Sequence, residues 1–448
     1  MIANPQTGFA MEDARLGKLG LALSGGGFRA SLFHLGVLAK LADLDLLRHV
    51  ATISTVSGGS IIGAFYQLKV KQLLEGRRGD RLAPSAQAFR QLVGEIERDF
   101  VQAIQHNLRI CTFTDREKNA RILSNSYSTT ERLAELFETH FFAPITERDK
   151  TSLRDLTITP AFAAAPPGDP AAFQVPELVM NSTALNTGHL FQFTGQYVGE
   201  GPVDSVLGGI APMSSLDRIY LQDPNLQRRQ RARLDRITVG DAVAASSCVP
   251  GLLEPYKLTD LYQDEDGNDS TVRLVDGGVF DNQGLASLFE ADCTHFICSD
   301  ATDLLSWELD PSDRMHNVLM RTNDIMMDRV RAELMEELIA RGSDRYAVFT
   351  LGDLDGPKVF SREAVRIVSA LAHIRTDLDA FSDTEAAALM YYGFLLSGHT
   401  LRDGQTPDTR PAAVSTAATD ERRPNIHSES DSETAPPHSW AFAWVSDA

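Results

Sequence analysis

Ser57 occupies a position that suits a catalytic nucleophile. It follows a run of β-forming residues, 51–56, and precedes Gly58, Gly59 and an apolar pattern with helical spacing. A nucleophilic serine on so tight a turn needs small neighbours, because its side chain must be lifted clear of the sheet. A serine at the start of a helix also suits an ordinary N-cap, in which its oxygen accepts backbone N–H groups. The local sequence leaves both interpretations open.

A nucleophilic serine needs a base, and Asp276 is the best candidate. It ends an apolar strand pattern, 272–276, and Gly277 and Gly278 follow it. The alternative is a plain Asp-Gly turn. A Ser-acid-His triad would require a later histidine on a suitable turn, but the histidines after Asp276 lie in strand, helix or tail patterns. The sequence therefore favours a Ser57–Asp276 dyad, in which burial must raise the pKa of the aspartate.

The first glycine cluster along the chain could stabilise negative charge. Gly25, Gly26 and Gly27 lie between a strand pattern and a helix pattern, so their N–H groups could hold an oxyanion or a phosphate. Arg29 could add a charge for an anionic head group, or form only a salt bridge. A dinucleotide site is disfavoured, because Ala30 stands at the third glycine of that fingerprint and no acidic ribose ligand ends the next strand.

The elements around these residues predict an α/β protein. Strands are expected at 19–24, 51–56, 177–185, 272–276 and 294–300. The alternation of strand, glycine turn and helix is typical of a parallel sheet with helical crossovers. We expect a helical insertion at 83–142 within a catalytic domain at 17–300. An arm at 1–16, a mainly helical part at 301–400 and a disordered acidic tail with an aromatic end at 401–448 complete the predicted organisation.

Composition restricts the partners. The chain of 448 residues has a formal net charge of −19, so its overall field would repel nucleic acid. Four cysteines without metal-ligand spacing, and no evident signal or spanning segment, predict a reduced cytoplasmic protein that needs no metal or cofactor. Peripheral contact with a membrane surface stays possible through local patches.

Three motifs in this order resemble the patatin-like phospholipases. The sequence GGGFRA at 25–30 is similar to the oxyanion-hole motif of that family, VSGGS at 56–60 to its nucleophile elbow, and DGG at 276–278 to its dyad aspartate motif. VMNSTALNTG at 179–188 and AASSCVPGLLEPY at 244–256 resemble two further family segments. Thr55 departs from the pattern, because the elbow usually carries a glycine there.

The resemblance implies a fold, a set of site residues and an activity. The fold would be a three-layer α/β structure with a central, mainly parallel sheet flanked by helices. Ser57 would be the nucleophile, Asp276 the general base, and Gly25, Gly26 and Gly27 the oxyanion hole, with Arg29 near the substrate. The reaction would be hydrolysis of a glycerolipid or phospholipid ester, of the phospholipase A or lysophospholipase type, without metal or cofactor. A thioesterase or acyltransferase with the same dyad, and a regulated or inactive lipid-binding module, are the alternatives.

Two segments could contact lipid or a partner. Four arginines lie in a loop-like segment, and three aromatic residues lie close to the end of the chain: Arg228, Arg229, Arg231, Arg233, Trp440, Phe442 and Trp444. Aromatic rings favour the head-group level of a membrane, but the aromatic end could equally bind a protein partner.

His34, within the first helix pattern, is expected to be structural.

Overall fold

The structure is a computed structural model. It describes residues 8–77, 83–124, 127–163, 165–169, 171–201, 216–264, 266–302, 308–352, 378–402 and 440–442. The statements below concern these residues.

One mixed sheet organises the described chain. Its strands are β1 Leu19–Leu23, β2 Val50–Val56, β3 Glu177–Ala184, β4 Leu190–Phe193, β5 Tyr197–Glu200, β6 Ile219–Tyr220, β7 Tyr256–Gln263, β8 Asp269–Asp276, β9 His295–Asp300 and β10 Tyr346–Thr350. The order is β10-β9-β1-β2-β3-β4-β5-β6, with β8 on β3 and β7 on β8. Strands β10, β9, β1, β2 and β3 are parallel to one another, whereas the remaining pairings are antiparallel.

Helices cover both faces of the sheet. They are α1 Met11–Leu16, α2 Gly27–Asp43, α3 Gly58–Leu74, α4 Ala86–Ile104, α5 Leu108–Thr114, α6 Arg116–Leu123, α7 Thr129–Phe137, α8 Ala143–Thr146, α9 Arg228–Leu234, α10 Val239–Ser246, α11 Gly278–Asp281, α12 Leu285–Glu290, α13 Met315–Ala340 and α14 Asp383–Arg402. The expected α/β fold, a largely parallel central sheet flanked by helices, is confirmed.

Side chains that alternate between the two faces of the central strands contribute to two separate apolar cores. In β1, Leu21 and Leu23 belong to the large core that contains α2, α3, α4 and α14, while Ala22 belongs to a smaller core with α12 and α13. Successive side chains of a strand point to opposite faces, and near-continuous apolar runs are typical of parallel strands buried on both faces. This is why LGLAL carries no polar residue.

Helix α14 packs closely against α2, which follows the first glycine cluster. A Cβ atom at Gly36 would overlap the carbonyl group of Met390, and one at Gly393 would overlap the carbonyl oxygen of Phe33. Only glycine permits this approach of the two backbones. Helix α14 and strand β10 therefore share the large core with α2, and β10 extends the sheet beside β9.

Two sequence-based expectations differ from the structure. The arginine-rich segment 222–236 was expected to be a loop, but it contains helix α9, and Arg229 is paired with Asp260 and Asp269. The aromatic end of the chain was placed in a disordered tail or at a membrane, but Trp440 and Phe442 are buried against the protein. The rest of the tail, 403–439 and 443–448 with Trp444, lies outside the described residues.

We expect Gly36→Ala to lower the free energy of unfolding by about 1–3 kcal/mol, because the added methyl group must displace the α14 backbone. Chemical denaturation monitored by circular dichroism measures this change. Gly94→Ala in α4 is the matched control, since the nearest atom to its Cβ lies at 4.0 Å, and it should be neutral or stabilising by up to about 1 kcal/mol. Equal stability of the two variants would contradict the close packing of α2 and α14.

Candidate active site

Strand pairing brings Ser57 and Asp276 together. β2 runs parallel along one edge of β3 and ends with Val56 opposite Asn181. β8 is antiparallel to β3 and ends with Asp276 opposite Ser182. β4 also pairs with Ser182, so β8 must use the same edge of β3 as β2. The two strands therefore run toward each other, and the residue after β2 meets the last residue of β8.

Ser57 has the backbone of a strained elbow. Its φ of 49° and ψ of −117° are unusual for a residue other than glycine, and such conformations cost roughly 1–3 kcal/mol. The residue stands at the N-cap of α3, yet its side chain forms no capping hydrogen bond. Instead the hydroxyl group lies near enough to the Asp276 carboxylate to lower its pKa. The absence of a capping hydrogen bond argues against the simple N-cap interpretation that the sequence left open.

The environment of Asp276 makes it a better base than an exposed aspartate. Burial raises the pKa of its carboxyl group to about 6, against the smaller lowering effects of the Gly278 N–H group and the Ser57 hydroxyl. The Gly278 N–H group donates to Oδ1 at 2.8 Å. The backbone N–H of Asp276 donates to the carbonyl of Cys248 at 3.0 Å, which fixes the end of β8.

A second buried acid nearby has a different role. Burial also raises the pKa of Asp281 to about 6. Its carboxylate, however, accepts the backbone N–H groups of Gln283, Gly284 and Ala286 at 2.8–2.9 Å. This carboxylate is occupied in shaping the turn between α11 and α12. Of these two buried acids, Asp276 is therefore the one that lies next to Ser57.

The first glycine cluster lies against the elbow. A Cβ atom at Gly58 would overlap the carbonyl oxygen of Gly27, and one at Gly25 would lie 3.3 Å from Cβ of Ser57. The Gly25 N–H group donates to the carbonyl of Asn282 at 3.0 Å, so it is not available to an oxyanion in this structure. No described residue accepts a hydrogen bond from the N–H groups of Gly26 or Gly27, which stand at the N-terminus of α2. These two donors are the ones that could hold negative charge.

Arg29 and His34 lie inside the protein. The Arg29 side chain is 4% exposed and donates through Nη2 to the carbonyl of Ala301 at 3.1 Å. This contact favours a role in holding the glycine loop over the expected contact with a substrate head group. His34 bridges Ser299 Oγ at 2.7 Å and the Ser24 carbonyl at 2.9 Å. Burial lowers its pKa to about 4, as suits a neutral structural histidine.

A hydroxyl network beneath the elbow includes Ser246, a residue that the sequence did not single out. Ser246 Oγ accepts the Ser57 N–H group at 3.0 Å and lies 2.8 Å from Ser60 Oγ. Ser60 Oγ in turn lies 2.9 Å from Thr55 Oγ1. Thr55, the departure from the family pattern, therefore contributes a hydrogen bond, and Gly63 leaves space for its methyl group. The only sequence signal for Ser246 was its place in the AASSCVP segment.

Asn181, in β3, links this strand to β2 and to helix α12 behind the site. Its Nδ2 donates to Ser54 Oγ at 2.9 Å and to the Thr55 carbonyl at 3.0 Å. Its Oδ1 accepts from Ser287 Oγ at 2.7 Å. The end of β2 is thus held by a fully bonded, buried amide, which stabilises the strained turn that follows. Ser54 and Ser60, the serines on either side of Ser57, are both buried within these networks.

Among the residues that the structure describes, no cluster of three or more His, Cys, Asp or Glu side chains could hold a metal ion. None of the described helices is both long enough and apolar enough to cross a membrane.

We expect Ser246→Ala to slow reaction of Ser57 with a fluorophosphonate about 10-fold, because the buried Ser57 N–H group loses its acceptor. The rate of adduct formation, read by intact mass, measures this effect. Ser247→Ala is the matched control, since the Ser247 hydroxyl is buried without a hydrogen-bond partner among the described residues. Wild-type rates in both variants would show that the network does not position the serine.

Comparisons with known proteins concern the family and the fold of the chain. The family model for patatin-like phospholipase matches residues 21–289. No curated protein matches the chain. Among solved structures, human GIVD cytosolic phospholipase A2 superposes with a TM-score of 0.51 at 12% identity, covering 88% of this chain and 61% of that one. VipD from Legionella pneumophila gives a TM-score of 0.31 at 12% identity, covering 87% and 67%.

The first of these likenesses is one of fold, and the chain spans about three-fifths of the length of that human structure. The family match covers more than half of this chain and contains the glycine cluster, the elbow and the Asp-Gly-Gly turn. The chain belongs to the patatin-like phospholipase family.

Proposed function

We propose that the protein hydrolyses carboxylic esters of glycerolipids through an acyl-serine intermediate on Ser57, with Asp276 as the general base. The observation that carries this proposal is the orientation of Ser57, whose hydroxyl faces Asp276 instead of capping α3. The family to which the chain belongs, named for phospholipases, supports a lipid substrate. Phospholipase A or lysophospholipase activity is the form we propose.

The reaction proceeds in two halves. Asp276 takes the Ser57 proton as the oxygen attacks the ester carbonyl, and it then protonates the leaving alcohol. The N–H groups of Gly26 and Gly27 hold the tetrahedral oxyanion, each good donor contributing about 2.7–4 kcal/mol. Water then attacks the acyl-serine, with Asp276 again accepting the proton. Neither half requires a metal ion to polarise the carbonyl, since the glycine loop performs that task.

Helix α13 supports the approach of a lipid. It lies beside the site, where a Cβ at Gly278 would stand 3.2 Å from Cε of Met327. At its outer end the side chains of Met315, Leu319 and Met326 are 75%, 62% and 64% exposed to solvent, whereas Leu338 at the other end is buried. The apolar stripe of this helix thus continues past the core into open surface. Transient contact of a cytoplasmic enzyme with a membrane surface, made by this exposed part, belongs to the proposal.

We expect Ser57→Ala to lose all labelling by a fluorophosphonate and all fatty-acid release from phosphatidylcholine in mixed micelles. Asp276→Asn, which keeps the shape but not the basicity, should slow both by at least about 10²-fold. Mass spectrometry of the adduct and chromatography of the released fatty acid give the two readouts, with Ser247→Ala as the serine control. Labelling that persists in Ser57→Ala would remove the nucleophile from the proposal.

The same panel separates the alternatives. Release from an acyl-CoA thioester but not from phosphatidylcholine would replace the phospholipase by a thioesterase with the same dyad. Transfer of the acyl group to an added alcohol in preference to water would indicate an acyltransferase. A folded protein that neither labels nor releases fatty acid would be a binding module or an enzyme awaiting an activator.

We expect kcat/KM for a soluble short-chain ester to fall as the pH drops through about 6, with a slope of one proton. The reason is that Asp276 must be ionised to accept the serine proton, and its pKa is raised to about 6 by burial. A pH–rate profile measures the midpoint. An unperturbed aspartate would give a midpoint about 2 units lower, and that result would contradict the role of a buried Asp276 as base.

A further inference from the structure

A short segment close to the end of the chain occupies a cleft on the side of the sheet that carries α2, α4 and α14. Trp440 and Phe442 are 3% and 2% exposed. Their rings stack with centroids 6.0 Å apart at 10°, and the Phe442 ring also packs on Phe394 of α14 at 5.7 Å. Ala441, between them, is exposed. The segment therefore presents two aromatic anchors to the cleft and one residue to solvent.

Carboxylates in the cleft bind the polar groups of this segment. Glu97 of α4 accepts the backbone N–H of Ala441 at 3.2 Å and that of Phe442 at 2.7 Å, one on each oxygen. Asp43, at the end of α2, accepts the indole Nε1–H of Trp440 at 3.3 Å. Two consecutive N–H groups on one carboxylate fix the direction of the peptide, and the indole contact fixes which aromatic residue comes first.

The cleft is incomplete without its occupant. Glu97 is 3% exposed in the structure, and burial raises its pKa while the two N–H groups of the segment oppose that change. A buried carboxylate without donors is costly. Gly94 of α4 leaves space for the indole ring, because it has no side chain. A Cβ atom added there would lie 4.0 Å from Cζ3 of Trp440. A carboxylate clamp, an indole acceptor and room for the ring are thus combined in one place.

We propose that the α2–α4–α14 cleft is a peptide-binding site for a Trp-x-Phe sequence, occupied by residues 440–442 of the same chain. This inference is independent of the catalytic proposal, because none of its residues belongs to the dyad or the glycine loop. The segment acts as an intramolecular ligand whose two rings pack within the large apolar core. Trp440 and Phe442 are accordingly the anchors of an internal ligand and do not dock on membrane.

Cleavage of the full chain within residues 403–439 tests this assignment. A specific protease site is introduced at residue 420, and the cleaved protein is passed over a size-exclusion column at decreasing concentrations. In the wild-type background the C-terminal fragment should co-elute with the body. An excess of a fluorescein-labelled peptide of residues 436–444 should then exchange into the cleaved complex, as measured by fluorescence anisotropy.

Variants in the segment leave the body of the protein unchanged. Trp440→Ala and Phe442→Ala should each weaken retention of the fragment by at least about 30-fold, because each removes a buried aromatic anchor. Ala441→Ser is the matched control, since it keeps the N–H group and its side chain is exposed. Its fragment should be retained as in the wild type. Gly94→Leu, which fills the space of the indole ring, should act like Trp440→Ala.

Three results would overturn the proposal. A wild-type fragment that separates from the body as readily as the Trp440→Ala fragment would show that the cleft has no affinity of its own. Retention of the Trp440→Ala fragment would place the attachment elsewhere. Unfolding of the body when the wild-type fragment is diluted away, seen by circular dichroism, would make the segment part of the core and not a ligand.

Discussion

One edge of β3 serves two strands that run toward each other, and the position of the active site depends on this pairing. The parallel strand β2 ends opposite Asn181, and the antiparallel strand β8 ends opposite Ser182. No loop has to carry the base to the nucleophile, since both side chains follow from backbone register. Sites built on strands are held more rigidly than sites built on loops. The mixed character of the sheet thus places Ser57 beside Asp276.

The strain at Ser57 is offset by its surroundings. A positive φ in a serine costs roughly 1–3 kcal/mol, and it persists because the groups around the turn are fully bonded. The Ser57 carbonyl accepts the N–H groups of Ser60 and Ile61 at 2.8 and 3.2 Å, and its own N–H group donates to Ser246. With both backbone groups satisfied, the side chain is left for Asp276, while α3 begins without a capping side chain.

Burial acts on carboxyl groups in two different ways in this fold. At Asp276 few donors oppose desolvation, and the pKa rises to about 6, which suits a base that must exchange protons near neutrality. At Glu97 the donors come from a segment remote in sequence, so a buried carboxylate becomes a peptide anchor. The difference lies in what each acid faces: a hydroxyl that must lose its proton, or amides that keep theirs.

The sequence by itself determined the central strands and the two glycine clusters, and it predicted the pair Ser57 and Asp276, because each depends on local pattern: apolar runs, glycine turns and residues at strand ends. Its three motifs, taken in order, also indicated the family. It did not determine that Gly25 donates to Asn282, that Arg29 lies inside, or that Ser246 supports the elbow, since these contacts join residues far apart in the chain.

Only the tertiary structure decided the role of the hydroxyl and the fate of the aromatic end. Whether a serine at a helix start caps that helix or faces an acid depends on where β8 ends, and register across β3 is not visible in local pattern. Whether Trp440 meets solvent, lipid or protein depends on a cleft made by three helices separated by hundreds of residues in all. Local sequence sets the propensity of a segment to form a helix, strand or turn. The burial of its side chains and the pairing of its strands depend on which distant elements come into contact.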